Sequence, residues 1–123
     1  MAAEHPILVV DDDLTILISV AELLELEGYA VATAANGAEA LEMTGSLRPG
    51  LVLLDMRMPV LDGWAYARAV RDQGLQPPIV IMTAAHDARR WADEIGADGF
   101  IAKPFEADAL IAAVERIVGR PAA

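Results

Sequence analysis

Three acidic residues in succession, Asp11, Asp12 and Asp13, follow the apolar run Ile7 to Val10. A run from Leu51 to Leu54 ends in Asp55, one from Ile79 to Met82 ends in Thr83, and one from Gly99 to Ala102 leads into Lys103-Pro104. Short apolar runs of this kind read as buried strands, so each delivers a polar group at its carboxyl end. In open α/β sheets that rim is where ligands bind. Adjacent strands lie about 4.8 Å apart, so the carboxylates ending strands 1 and 3 can share one hard divalent cation such as magnesium. Lys103 starts about two strand spacings, roughly 10 Å, from Asp55, a gap its flexible stem bridges to reach an anion bound there.

Each of these residues also has an ordinary reading. An aspartate at a helix start caps the first turn, but one suffices. Three in a row with a fourth nearby repel one another unless a cation neutralises them, which favours metal binding for Asp11 and Asp12 and leaves Asp13 as the cap. Asp55 also suits the turn in Asp-Met-Arg-Met-Pro, and a Thr ending a strand is common, so Thr83 gains meaning only from its place on the rim. Lys103 is the one lysine beside eight arginines. A compact ammonium suits a single phosphoryl or carboxylate oxygen, whereas a guanidinium prefers bidentate pairing. The Lys103-Pro104 bond fits a cis peptide in a tight turn.

Bringing four strand ends to one rim requires a particular scaffold. Five apolar runs recur, Ile7 to Val10, Tyr29 to Thr33, Leu51 to Leu54, Ile79 to Met82 and Gly99 to Ala102. Three lack polar alternation, the pattern of parallel strands covered on both faces. Helical spacing fills the intervals. The first helix runs from Asp13 or Leu14 to Glu27, with Leu14, Leu17, Ala21 and Leu24 on one face and Gly28 ending it. The second covers Asn36 to Ser46, with Asn36 as cap and Glu39 at the capping-box position. Asp62 to Asp72, Ala88 to Ile95 and Glu106 to Val118 form the others, stopped by Gly74, Gly96 and Gly119. This alternation predicts an α/β fold, a doubly wound five-stranded parallel sheet of order 2-1-3-4-5 with five helices. One domain is expected over residues 7–119, with tails at 1–6 and 120–123.

Composition narrows the function. The 123 residues include 55% hydrophobic and 23% charged, enough to bury one core. Nineteen acids against nine bases give a formal charge of -10, which repels nucleic acid and anionic lipid. Without cysteine there is no disulfide, thiolate metal site or cysteine nucleophile. No apolar run approaches the roughly 20 residues of a membrane helix, so a cytoplasmic location is expected. His5 and His86 lack a second ligand at metal spacing, and neither a phosphate-binding Gly-rich loop nor a serine elbow is present.

Four motifs stand in order: Ile7 to Asp12 (ILVVDD), Leu53 to Gly63 (LLDMRMPVLDG), Ile79 to Ala84 (IVIMTA) and Gly96 to Phe105 (GADGFIAKPF). Together they make the chain resemble a response-regulator receiver domain of bacterial two-component signalling, over nearly its whole length. The resemblance implies a flavodoxin-like fold, and that Asp55 accepts a phosphoryl group from a phosphohistidine on a histidine kinase or phosphotransfer protein. It further implies magnesium or manganese held by Asp12 directly, by Asp11 mainly through water, by Asp55 and by the Arg57 backbone carbonyl. Thr83 and Lys103 match phosphoryl-oxygen ligands, and Phe100 the aromatic switch position. The implied output is a helix 4, strand 5 and helix 5 surface with Arg89, Arg90, Trp91 and Phe100. That surface would signal to a protein target or output domain, and the family admits a phosphorylation-dependent homodimer. Such a domain is a signalling module rather than an enzyme, catalysing only its own phosphorylation and dephosphorylation.

Arg57 and Ala85, two residues past the acceptor and past Thr83, occupy positions that influence dephosphorylation in the family. On helix 1, Ile16, Val20 and Leu23 are expected to form an apolar flank open to kinase helices or self-association. The competing enzyme reading is a haloacid-dehalogenase-like phosphatase, because Asp11, Asp13 and Thr15 spell D-x-D-x-T after a strand. It leaves Asp55 without a role and lacks a late acidic pair.

Overall fold

The computed structural model describes residues 5–121, so the expected tails at 1–6 and 120–123 lie partly outside the described residues. Ten elements alternate: β1 (Ile7–Val10), α1 (Leu14–Leu26), β2 (Val31–Ala34), α2 (Gly37–Leu47), β3 (Leu51–Asp55), α3 (Gly63–Asp72), β4 (Ile79–Ala84), α4 (Ala85–Ile95), β5 (Gly99–Lys103) and α5 (Ala107–Val118). The strands form one parallel sheet in the order β2-β1-β3-β4-β5, as the alternation requires.

Apolar side chains leave the sheet on alternate faces, because strand periodicity is two. Leu8, Val10, Val52, Leu54 and Ile81 pack with Tyr66, Val70, Trp91 and Ile95 on one side. Ile7, Val9, Leu51, Leu53, Val80 and Met82 pack with Leu17, Val20, Leu24, Leu110 and Val114 on the other. Every residue of β1 and β3 is buried, which accounts for their unbroken apolar runs.

Local chemistry shifts several boundaries. Tyr29 belongs to the end of α1 rather than to β2. The N–H groups of Gly28 and Tyr29 bond the carbonyls of Glu25 and Leu24, and Gly28 turns with φ +101°. Helix α4 starts at Ala85 rather than Ala88, directly after β4, so His86 lies in its first turn and not in a loop. Val20 is core, three residues past Leu17 and four before Leu24, while Ile16 and Leu23 are half-buried. The apolar side chains that α1 leaves open are instead Leu14 and Ile18, at 61% and 54% exposure, and Leu26 at its far end, at 83%.

Between α2 and α3 lies a buried polar pair. The Thr44 hydroxyl donates to the Ala40 carbonyl at 2.7 Å, leaving the Tyr66 hydroxyl to donate to Thr44 Oγ1 at 2.7 Å. Burial pushes the Tyr66 phenol up to about 12. The partners are unequal: Tyr66→Phe leaves Thr44 bonded to Ala40 and should cost about 1 kcal/mol, while Thr44→Val strands a buried phenol and should cost about 1–3 kcal/mol. Urea melts of both variants check the order.

Candidate phosphoacceptor and metal site

Register brings the carboxylates together. Val10 pairs with Leu54 in the β1–β3 ladder, so Asp11 and Asp55, the next residue along each strand, emerge side by side. Asp11 is fully buried and Asp55 is 7% exposed, while Asp12 faces solvent. One oxygen from each of Asp11, Asp12 and Asp55 lies within 4.8 Å of the others. Three carboxylate oxygens at that spacing fit a hard divalent cation.

Ala84 pairs with Lys103, which carries the lysine to the same rim from β5. Its Nζ donates to Asp11 Oδ2 at 2.9 Å and stands 3.5 Å from Asp55 Oδ1, so one ammonium spans two buried acids. Burial pulls Lys103 down, but the hydrogen bond to Asp11 and the charge of Asp55 outweigh it and raise the ammonium above its ordinary value. Asp55 is driven the opposite way from a typical paired acid, up to about 6. Burial is the main cause and the Asp11 charge the second, opposed by Lys103 and by the nearby Arg57 backbone N–H. A carboxylate crowded by like charge calls for a cation.

Asp13 stands apart from this cluster. Its Oδ1 accepts from Thr15 N at 2.9 Å and Ile16 N at 3.4 Å, capping α1, while its own N–H donates to Asp11 Oδ1 at 2.9 Å. The capping reading therefore holds, and the D-x-D-x-T pattern has its second aspartate committed to a helix. Thr83 is buried at the end of β4, and Phe100 is 38% exposed on β5 beneath the Arg89 guanidinium, 5.6 Å from the ring centroid. Lys103-Pro104 is cis. His5 and His86 are both exposed.

Trp91 departs from expectation. The resemblance implies a place on the output surface, yet Trp91 is 5% exposed, packed edge to face against Trp64 with ring centroids 4.8 Å apart. The amphipathic spacing of Ala88, Trp91, Ala92 and Ile95 is the signal that puts it on the core side of α4. Asp87 was missed altogether: it is buried in the first turn of α4 and holds Arg90 at 2.6 Å and His86 at 3.2 Å. An acid next to a helix start carried no mark separating it from an ordinary first-turn charge.

A doubly wound parallel sheet thus gathers three acids and a lysine at its carboxyl rim. Residues 7–115 match the family described as response regulator receiver domain, and the chain belongs to that family. PrrA, a transcriptional regulatory protein of Mycobacterium tuberculosis, is 40% identical over 116 residues, covering 93% of this chain and 50% of PrrA. The response regulator MprA of Mycobacterium avium is likewise 40% identical, over 93% of this chain and 51% of MprA. The chain thus spans about half the length of the curated relatives it matches. Among solved structures, the chemotaxis protein CheY4 of Vibrio cholerae superposes with TM-score 0.84 at 33% identity, covering 94% of this chain and 99% of CheY4. The receiver domain of NtrX from Brucella abortus gives TM-score 0.83 at 36% identity, covering 91% and 97%. Among the described residues no helix is long and apolar enough to cross a membrane.

Proposed function

We propose that this receiver domain takes a phosphoryl group onto Asp55 from the phosphohistidine of a histidine kinase or phosphotransfer protein. The observation that carries the reading is the Lys103 ammonium spanning Asp11 and Asp55 within a cluster of three carboxylates. Asp11, Asp12, Asp55 and the Arg57 carbonyl would hold magnesium or manganese, which supplies charge neutralisation when bound.

The chain's own groups do the rest. An Asp55 oxygen attacks phosphorus in line, the O–P bond forms as the P–N bond breaks, and the leaving imidazole takes its proton from solvent. Lys103 offsets the charge that two meeting anions build up. The Thr83 hydroxyl then donates to a phosphoryl oxygen, and the Phe100 ring turns into the space Thr83 leaves, a population shift that alters the α4, β5 and α5 face carrying Arg89, Arg90 and Phe100. That face signals to a protein target or output domain, with a phosphorylation-dependent homodimer as one outcome. Leu14 and Ile18 offer the donor helices an apolar flank beside the site. The domain acts in the cytoplasm, binds no nucleic acid itself and processes no substrate beyond its own phosphoryl group.

Acetyl phosphate with magnesium tests this directly. Peptide mapping should find one phosphoryl group per chain, on Asp55, and chelation should prevent it. Label trapped on Asp11, with phosphate released from small esters, would transfer the protein to the phosphatase class.

A further inference from the structure

Both tryptophans of the chain meet beside the acceptor loop. Trp64 Nε1 donates to Glu94 Oε1 at 2.9 Å, Trp64 packs edge-on to Trp91, and the Arg57 guanidinium lies 5.0 Å from the Trp91 ring centroid. Arg57 is exposed and makes no salt bridge among the described residues, despite the chain's strong acidic excess. Its cation rests on a ring face instead. The main-chain N–H of the same residue lies close enough to Asp55 to favour its ionised form. One residue therefore neighbours Asp55 through its backbone and reaches α4 through its side chain.

We propose that Arg57 is the sensor that couples the acceptor to α4. Its guanidinium covers Trp91 while Asp55 is free and turns to the phosphoryl oxygens once Asp55 is phosphorylated, uncovering the ring. This rests on the reading of Asp55 as acceptor. A phosphoryl group adds close to two negative charges and three strong acceptor oxygens. A planar guanidinium pairs with such oxygens in bidentate, charge-assisted fashion, a stronger contact than the face of an indole at the surface. Lys103 is already divided between Asp11 and Asp55, so the added charge outruns the one ammonium at the site. Reach is adequate, since two residues span at most about 7 Å of chain and an arginine side chain covers that length. Departure of Arg57 removes the guanidinium that joins the acceptor loop to α4 and leaves the outer face of Trp91 bare, with Trp64 still against its edge. A change of charge at Asp55 is thereby converted into a change of packing at α4.

The full chain labelled with 5-fluorotryptophan gives two fluorine resonances, assigned with Trp64→Phe. Treatment with acetyl phosphate and magnesium should shift the Trp91 resonance to the position it already holds in unphosphorylated Arg57→Gln, and that variant should show no further shift on phosphorylation. Arg57→Lys should restore part of the wild-type response. A Trp91 resonance that stays still in chain shown to be labelled at Asp55, or that shifts equally in Arg57→Gln, overturns the proposal. Absence of any label on Asp55 is a separate result and rejects the acceptor reading on which the proposal stands.

Discussion

Asp55→Asn is expected to reduce acetyl-phosphate labelling by about 100-fold or more, because a neutral amide is not the carboxylate nucleophile the transfer needs. The same change should make the metal-free protein more stable at neutral pH. In the folded chain the Asp55 carboxyl is raised from 3.8 to about 6 by burial and by Asp11. A carboxyl raised on folding binds its proton more tightly in the folded state. Above about pH 6 it is ionised in both states and burying the charge carries its full penalty, on the order of 2–3 kcal/mol. Stability therefore rises as pH falls through about 6 and the gain is complete near 4, below which both states are protonated. Asn has no such charge to bury, so its advantage in chelator-containing buffer should be greatest near pH 8 and shrink toward pH 4.5. Titrating groups remote from Asp55 cancel in the difference between the two proteins. Urea melts across that range are the measurement, and a variant less stable than wild type throughout would show that Asp55 serves the fold rather than the chemistry.

A second large effect should come from Gly37, the first residue of α2. A Cβ there would lie 2.0 Å from the Leu61 carbonyl oxygen and 2.8 Å from its carbon. Both atoms are backbone, so no rotamer change relieves the clash, and Gly37→Ala should cost about 3 kcal/mol or displace the loop. That loop joins β3 to α3 and begins beside Asp55 and Arg57, so labelling with magnesium should slow as well. Gly45 is the control within the same helix. No atom lies within 4 Å of its added Cβ, and Gly45→Ala should stabilise by about 0.5–1 kcal/mol through helix propensity alone. Equal melting midpoints for the two variants would reject the packing argument.

The rim was legible because its residues end strands that are buried on both faces. Sequences of that kind print as unbroken apolar runs, and the polar residue that stops each run is the one that reaches the rim. Asp11, Asp12, Asp55 and Lys103 emerged from this logic, and the ladder registers bring them into contact. Asp13 separated correctly as a cap, since a helix start needs only one acceptor. Reading failed where tertiary contact decides between equals. Tyr29 looks like strand until the carbonyls ending α1 claim its N–H, and Val20 and Ile18 are alike apolar until the sheet covers one of them. The resemblance puts Trp91 on the output surface, although helical spacing with Ala88 and Ile95 puts it inside. The meeting of Arg57 with Trp91 joins elements far apart in sequence, and nothing local to either residue announces it.

The sheet separates the apolar interior into two clusters that share no side chain. Substitutions in contact with different neighbours add in free energy, whereas those that share a neighbour do not. A lineage can therefore revise the side built on α1 and α5, beside the exposed Leu14 and Ile18, without disturbing the side where Trp64, Trp91 and Tyr66 pack. The two halves of the core become separately heritable, able to drift at different rates within one small domain.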